Sequence, residues 1–249
     1  MAVGCWLALQ SSACNEIGTP LHLGYYGYSM IVYDSVLTDT TVDGVFYPAD
    51  TAVTDTLDFA WPGSSLPIKI WVQDTVTLRA DMARAVTAWK NVLVYGEFEA
   101  TFVSDSTDAD VIVRGNRPPP APVAPGVRRI WESALIPPPA ACEGGTDVYV
   151  SAPDHTKLWT PIRVYVIPKY PLDNAATKPC LARVAIHELG HALGLFRHSP
   201  DPLDIMYGFP EVDAPSEGDA TTILTLYHQH SDLRPRPATD TIPVTPVSP

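Results

Sequence analysis

The chain has 249 residues, 46% of them hydrophobic, which is enough to bury a sizeable core in one large domain with extensions. With 28 acidic against 16 basic residues the formal charge is -12, and no basic patch interrupts it, which argues against nucleic acid or an anionic membrane surface as partner. No apolar run is long enough to span a bilayer.

At the N-terminus, Val3 to Leu9 is a short apolar run followed by Ser11-Ser12-Ala13-Cys14. It resembles the end of a bacterial lipoprotein signal with Cys14 as a lipid anchor, although a positively charged lead is missing. Residues 1–18 are therefore read as a signal or N-terminal extension, and the protein as secreted, cell-surface or periplasmic. Residues 19–65, rich in Tyr, Thr, Asp and Gly without steady periodicity, read as an extension of short strands and loops.

From Pro67 to Gln73, Ile68, Ile70 and Val72 alternate with Lys69, Trp71 and Gln73, the period of a strand. A helix is predicted from Thr77 to about Tyr95, because Leu78, Met82, Ala85, Val86, Trp89 and Leu93 recur every three or four residues and share one face. That stripe is expected in the core. Strands follow at Phe98 to Val103 and Asp110 to Arg114, the latter with a continuous apolar run that suits a central position. Prolines at 118, 119, 120, 122, 125 and 137 to 139 mark extended loops. Beyond them Thr146 to Ser151 and Ile162 to Ile167 are predicted strands. A helix then starts near Lys178-Pro179, with Thr177 as its cap, and a last one runs from Glu217 or Asp219 to Tyr227. Past Asp232 the Pro- and Thr-rich tail, within 231–249, has little to bury and is expected to be disordered.

Four cysteines, at 5, 14, 142 and 180, are too few for a disulfide-built scaffold. Cys142 and Cys180 flank the strand-rich segment before the second helix, a placement that fits a bridge in an oxidising compartment as well as two buried thiols.

The chemistry is concentrated in His187-Glu188-Leu189-Gly190-His191-Ala192-Leu193-Gly194, followed by His198 and Met206. Two histidines four apart on a helix lie one turn above each other, so both imidazoles reach a single ion. Glu188 beside them is placed to take a proton from an attacking water. Gly194 lets the chain leave the helix, and His198 is placed to supply a third nitrogen while a fourth position stays open. Arg197 has no lone pair to give. Asp201 and Asp204 are the fallback oxygen ligands. His22, His155, His228 and His230 lack such company and read as surface or satisfied polar residues. Trp61, Trp71, Trp89 and Trp159 read as core or cleft wall, and nothing resembles a Ser-His-Asp constellation or a phosphate loop.

The run HELGHALGLFRHS, continuing as PDPLDIMYG, resembles the metzincin clan of zinc endopeptidases and within it the matrixin, or matrix-metalloproteinase-like, branch. The resemblance covers roughly residues 66–230, which it makes the catalytic domain. It implies an α+β zincin fold: a twisted, mostly parallel sheet packed by two long helices, a cleft along the edge strand, and a small C-terminal subdomain with a Met-turn. It also implies one catalytic Zn²⁺ held by His187, His191 and His198, Glu188 as general base, Gly194 as the turn residue, and Met206 beneath the metal. Ser199 stands where matrixins commonly carry a serine. One departure is plain. The family spacing HExxHxxGxxH would place the third histidine at Arg197, and His198 comes one residue later, while the eight residues from His198 to Met206 keep the family's distance. A single extra residue is expected to bulge between Gly194 and His198.

The function so read is hydrolysis of peptide bonds in an extended protein or peptide substrate by a zinc metalloendopeptidase. The alternative is a non-catalytic secreted zinc-binding or surface-interaction protein. An exopeptidase would need a charged group closing one end of the cleft.

Overall fold

The computed structural model describes residues 31–32, 40–42, 45–47, 56–73, 77–117, 127–132, 141–151 and 157–236. The expectations for residues 1–18, Cys5 and Cys14 included, for the proline clusters between 118 and 125 and at 137–139, and for the tail beyond Arg236 lie outside these residues.

Four short strands come first: β1 (Ile31–Val32), β2 (Thr40–Val42), β3 (Val45–Tyr47) and β4 (Thr56–Leu57). They form two small antiparallel pairs, β1 with β4 and β2 with β3. The main sheet and its helices follow as β5 (Ile68–Val72), α1 (Leu78–Lys90), β6 (Ala100–Val103), β7 (Val111–Arg114), β8 (Val127–Glu132), β9 (Cys142–Ser151), β10 (Lys157–Pro168), α2 (Thr177–Ala192), α3 (Glu217–Tyr227) and β11 (Arg234–Pro235). The strand order is β6-β5-β7-β10-β9-β8, with β11 added to β10. The strands β6, β5, β7 and β10 run parallel, and β9 and β8 are antiparallel additions. This is the α+β, mostly parallel architecture that the resemblance implies.

The side-chain alternation explains the layers. Ile68, Ile70 and Val72 of β5, Val111 and Val113 of β7, Val148 and Val150 of β9, and Ile162, Val164 and Val166 of β10 form one buried face. Against it lie α1 and α2, which also pack on each other. The stripe Leu78, Met82, Ala85, Val86 and Trp89 is wholly buried, as its spacing predicts. Trp89 also donates its indole N–H to the Ile186 carbonyl of α2 at 2.9 Å, which satisfies its one polar atom inside the core.

Some boundaries differ from expectation. Helix α1 stops at Lys90 instead of Tyr95; Leu93 still donates to Trp89 O and stays buried, but Gly96 at φ 87° turns the chain and leaves Val94 and Tyr95 exposed. Strands β9 and β10 begin four and five residues earlier than predicted, because Gly144-Gly145 and Pro161 interrupt the apolar pattern that marks a strand. Strand β8 was not anticipated among the prolines. At the other margins, Phe59 and Trp61 join the core, and Trp61 donates to Ala192 O at 2.9 Å. Leu233 is buried and Arg234–Pro235 pairs with Lys157–Leu158, so the chain stays on the sheet past Asp232.

Gly194 ends α2 and ties it to that N-terminal margin. Its φ is 113°, Gly194 N donates to His191 O at 3.1 Å, and Leu195 N donates to Gly190 O at 3.0 Å, the paired bonds of a Schellman turn. A Cβ at this position would strike the Phe59 carbonyl oxygen. Gly194→Ala is therefore expected to lower unfolding free energy by more than about 2 kcal/mol, from left-handed strain plus the displaced Phe59 segment. Denaturant unfolding checks this; a loss under about 0.5 kcal/mol, the range of an ordinary surface change, would contradict it.

Candidate metal centre

Helix α2 places the first two nitrogens. Pro179 sits in its first turn, where a missing N–H costs nothing. Ala176 takes the cap position, and Thr177, expected there, is instead the first helical residue and fully buried. The helix lies under β9 and β10. His187 and His191, one turn apart, are both buried, with ring centroids 4.7 Å from each other.

The turn after Gly194 brings the third. Leu195 and Phe196 fold into the core, Phe196 stacking on Phe59 at 6.2 Å. Phe196 N donates to Gly194 O at 2.9 Å, a tight three-residue turn centred on Leu195. The three residues between Gly194 and His198 pass through that turn. His198 then lies 5.1 Å from the His187 ring and 5.2 Å from the His191 ring, and one nitrogen from each of the three imidazoles falls within 4.8 Å of the others. Among the described residues this is the group of donors able to hold an ion. Asp204, a fallback ligand by sequence, is buried, and its carboxylate accepts the hydroxyls of Ser199 and Ser216. Asp201 accepts Leu203 N and likewise stands outside the group.

The protonation pattern suits a cation. His187 Nδ1 faces Ile205 O at 2.7 Å and His191 Nδ1 faces Leu195 O at 2.5 Å. Carbonyl oxygens only accept, so each ring carries its proton on Nδ1 and presents a bare lone pair on Nε2. These two Nε2 atoms are 3.0 Å apart. Two lone pairs so close repel unless a positive ion lies between them. Burial favours the neutral form throughout: His187 is pushed down to about 3 by desolvation and then by His198, His191 lies well below the usual 6.5 by desolvation and then by both neighbours, and His198 is lowered by desolvation. The cluster fits one catalytic Zn²⁺ with a fourth position open.

Four residues that sequence reasoning did not single out frame this centre. Thr146 of β9 donates its hydroxyl to Glu188 Oε2 at 2.7 Å, and Glu188 is fully buried. Gly144, two residues earlier, has no room for a side chain: a Cβ would strike Glu188 Oε1 and lie 2.6 Å from Val184 Cγ1. Gly190 does the same for Met206: a Cβ there would strike the Met206 sulfur and lie 2.8 Å from Trp89 Cζ2. Asp219 receives Ile205 N at 2.7 Å and Met206 N at 3.2 Å, and through Ile205 O it fixes the carbonyl that orients His187. The Ser216-to-Asp219 spacing of a capping box was legible in the sequence; its link to the Met206 turn was not.

The remaining expectations resolve simply. His228 pairs with Glu97 at 3.1 Å on the surface and His230 is exposed, while His22 and His155 lie outside the described residues. Trp61, Trp89 and Trp159 are buried, with Arg236 3.4 Å over the Trp159 ring. Cys142 and Cys180 form a disulfide.

Removing the acceptor for the Met206 turn should be felt at the metal. Asp219→Ala is expected to weaken zinc binding by about 10- to 100-fold, the usual effect of losing a group that orients a ligand. Competition with a chelating dye measures it, and an unchanged affinity in a folded variant would show that Ile205 holds its place without Asp219.

Residues 150–228 match the Matrixin family model. None of the curated proteins matches the chain. The matched stretch runs from the end of β9 through α2 and the three histidines to the end of α3, and with the α+β sheet above it and the three-imidazole cluster within it, this part of the chain is similar to the zinc peptidase domain of the matrixins, a branch of the metzincins.

Proposed function

We propose that the protein hydrolyses peptide bonds in extended polypeptides, with His187, His191 and His198 holding the zinc ion, Glu188 as general base, Gly194 as the turn that returns His198, and Met206 as the floor beneath the rings. The observation that carries this reading is the placement of Glu188: next in sequence to His187, buried under β9, and held by Thr146 and the space at Gly144. Bound Zn²⁺ supplies Lewis acidity toward water and the scissile carbonyl. Glu188 takes a proton from the attacking water as its oxygen bonds to the carbonyl carbon, then passes that proton to the nitrogen as the C–N bond breaks. Thr146 holds one carboxylate oxygen of Glu188 by donating to it. The two Nδ1–H bonds to Ile205 O and Leu195 O keep the rings in the tautomer that offers Nε2.

The catalytic unit is assigned to residues 66–230, extended by the buried contributions of 58–61 and 233. Residues 19–65 are an N-terminal extension and 231–249 a tail. The Cys142–Cys180 bond supports export, since disulfides persist in oxidising compartments, and a lipid at Cys14 belongs to the same reading. Intact mass of the protein from its native host tests it: cleavage before Cys14 with an added acyl mass is expected, and an unprocessed N-terminus would end the idea of a lipid anchor.

Activity is tested with a broad peptide library. Chelator-sensitive cleavage is expected, with Glu188→Gln retaining zinc and losing at least about 100-fold in turnover. His198→Ala should lose the metal, whereas Arg197→Ala should keep full zinc stoichiometry. Near-native turnover in Glu188→Gln would sink its role as base. A zinc-loaded protein that cuts nothing would favour the non-catalytic binding protein.

A further inference from the structure

The stretch from Leu195 to His198 lies in neither helix nor strand, so side-chain packing, and not a hydrogen-bonded ladder, sets its course. Two of the three ligand rings depend on it. His198 stands at its end, and Leu195 O is the acceptor that orients His191. The surface on which it packs comes from residues ahead of β5. Phe59 is wholly buried there, its carbonyl oxygen stands where a Gly194 Cβ would, and its ring stacks on Phe196 at an interplanar angle of 26°. Trp61 meets the Phe59 ring edge-on at 5.2 Å and donates to Ala192 O, one of the terminal carbonyls that α2 itself leaves unpaired. The other margin of the chain clasps this seat. Asp232 N donates to Asp58 Oδ1 at 2.8 Å, Ala60 N to Ser231 Oγ at 3.1 Å and Leu233 N to Asp58 O at 3.1 Å. A residue that only filled space would meet the turn with its ring alone. Phe59 holds it by backbone and ring together, on both sides of Leu195.

Resting on the assignment of His198 as third ligand, we infer that Phe59 is a positioning residue of the metal centre. Its carbonyl sets the Gly194 end of the turn and its ring sets Phe196, two residues before His198, so the third imidazole is presented in one place before an ion arrives. Without that wall the turn takes several courses, and only the fraction that brings His198 to the other rings is competent to bind. A competent fraction of about one tenth raises the apparent Kd for zinc about tenfold.

The full chain is titrated with zinc against a chelating dye, with folding of each variant verified by circular dichroism. Phe59→Leu and Phe59→Ala remove the flat ring face; Ile70→Ala opens the same core at β5, whose ladder partners are β6 and β7. Phe59→Ala should raise the zinc Kd at least about tenfold and Phe59→Leu at least about threefold, whereas Ile70→Ala, although it unfolds more readily, should change it less than about twofold. Phe59→Leu carries the test if the alanine variant does not fold. In the His198→Ala background, titrated at higher zinc, Phe59→Leu should cost less than in the parent, because the ligand that the turn presents is gone. Parent-like zinc binding in folded Phe59 variants, an equal loss in Ile70→Ala, or an equal cost in both backgrounds overturns the inference and leaves the ligand set standing. Parent-like zinc binding by His198→Ala itself removes the ligand assignment beneath it.

Discussion

The zinc-site helix touches its surroundings at three points where one more methyl group would not fit. β9 meets it through Gly144, the Met206 sulfur presses on Gly190, and the Phe59 carbonyl closes on Gly194. Each residue of an α-helix advances 1.5 Å and turns by about 100°. Close contacts at residues 188 and 190, about 200° apart around the axis, and at Gly194 just past the end of the helix therefore fix both its rotation and its depth. The directions of His187 and His191 follow from that. A metal site needs its donors held to within a fraction of an ångström, and here the absence of side chains does much of the holding.

The second support is polar and runs through a single carboxylate. Asp219 caps its own helix by accepting Ser216 N at 2.8 Å and also receives the Ile205 and Met206 amides, so the start of α3 and the Met206 turn cannot move apart without exposing charge in a buried place. Burial and the nearby Asp204 raise its proton affinity, and the amide bonds oppose that rise. The Ser199 and Ser216 hydroxyls on Asp204 join the segment that follows the third histidine to the same knot, and Ser199 N donates to Met206 O at 2.8 Å. The ligands thus come from two segments of chain, while the carbonyls and carboxylates that aim them come from three.

The sequence made the donors legible because spacing alone carries their geometry: a helix turn for His187 and His191, a glycine exit, and then His198. The stripe of α1 was equally plain, since a buried face must repeat with the helical period. What did not show was anything that depends on close approach between distant segments. Gly144 looks like a weakness in a strand until Glu188 is seen beneath it, and Phe59 lies in a stretch without periodicity although it lines the turn at Gly194. Strand β8 was hidden for a different reason, because flanking prolines speak for loops and a six-residue pairing is set by its partner. Between Gly194 and His198 the chain makes a tight turn driven inward by Leu195 and Phe196, and its form depends on a core pocket that only the fold supplies.

The bond between Cys142 and Cys180 joins the first residue of β9 to the first turn of α2 across 38 residues of sequence. In the chain-entropy view closing a loop of that size contributes about 4 kcal/mol by restricting the unfolded chain. Its topology has a separate consequence for a protein that cuts chains in the company of its own copies. The stretch from Lys169 to Ala176 between β10 and α2 is largely exposed, and a surface segment of this kind is where nicking begins. A single nick anywhere between Glu143 and Pro179 would leave both fragments covalently attached, with the strand above Glu188 still fastened to the helix that bears it. The bridge thus keeps the sheet and the zinc-site helix together even if that exposed connection is cut.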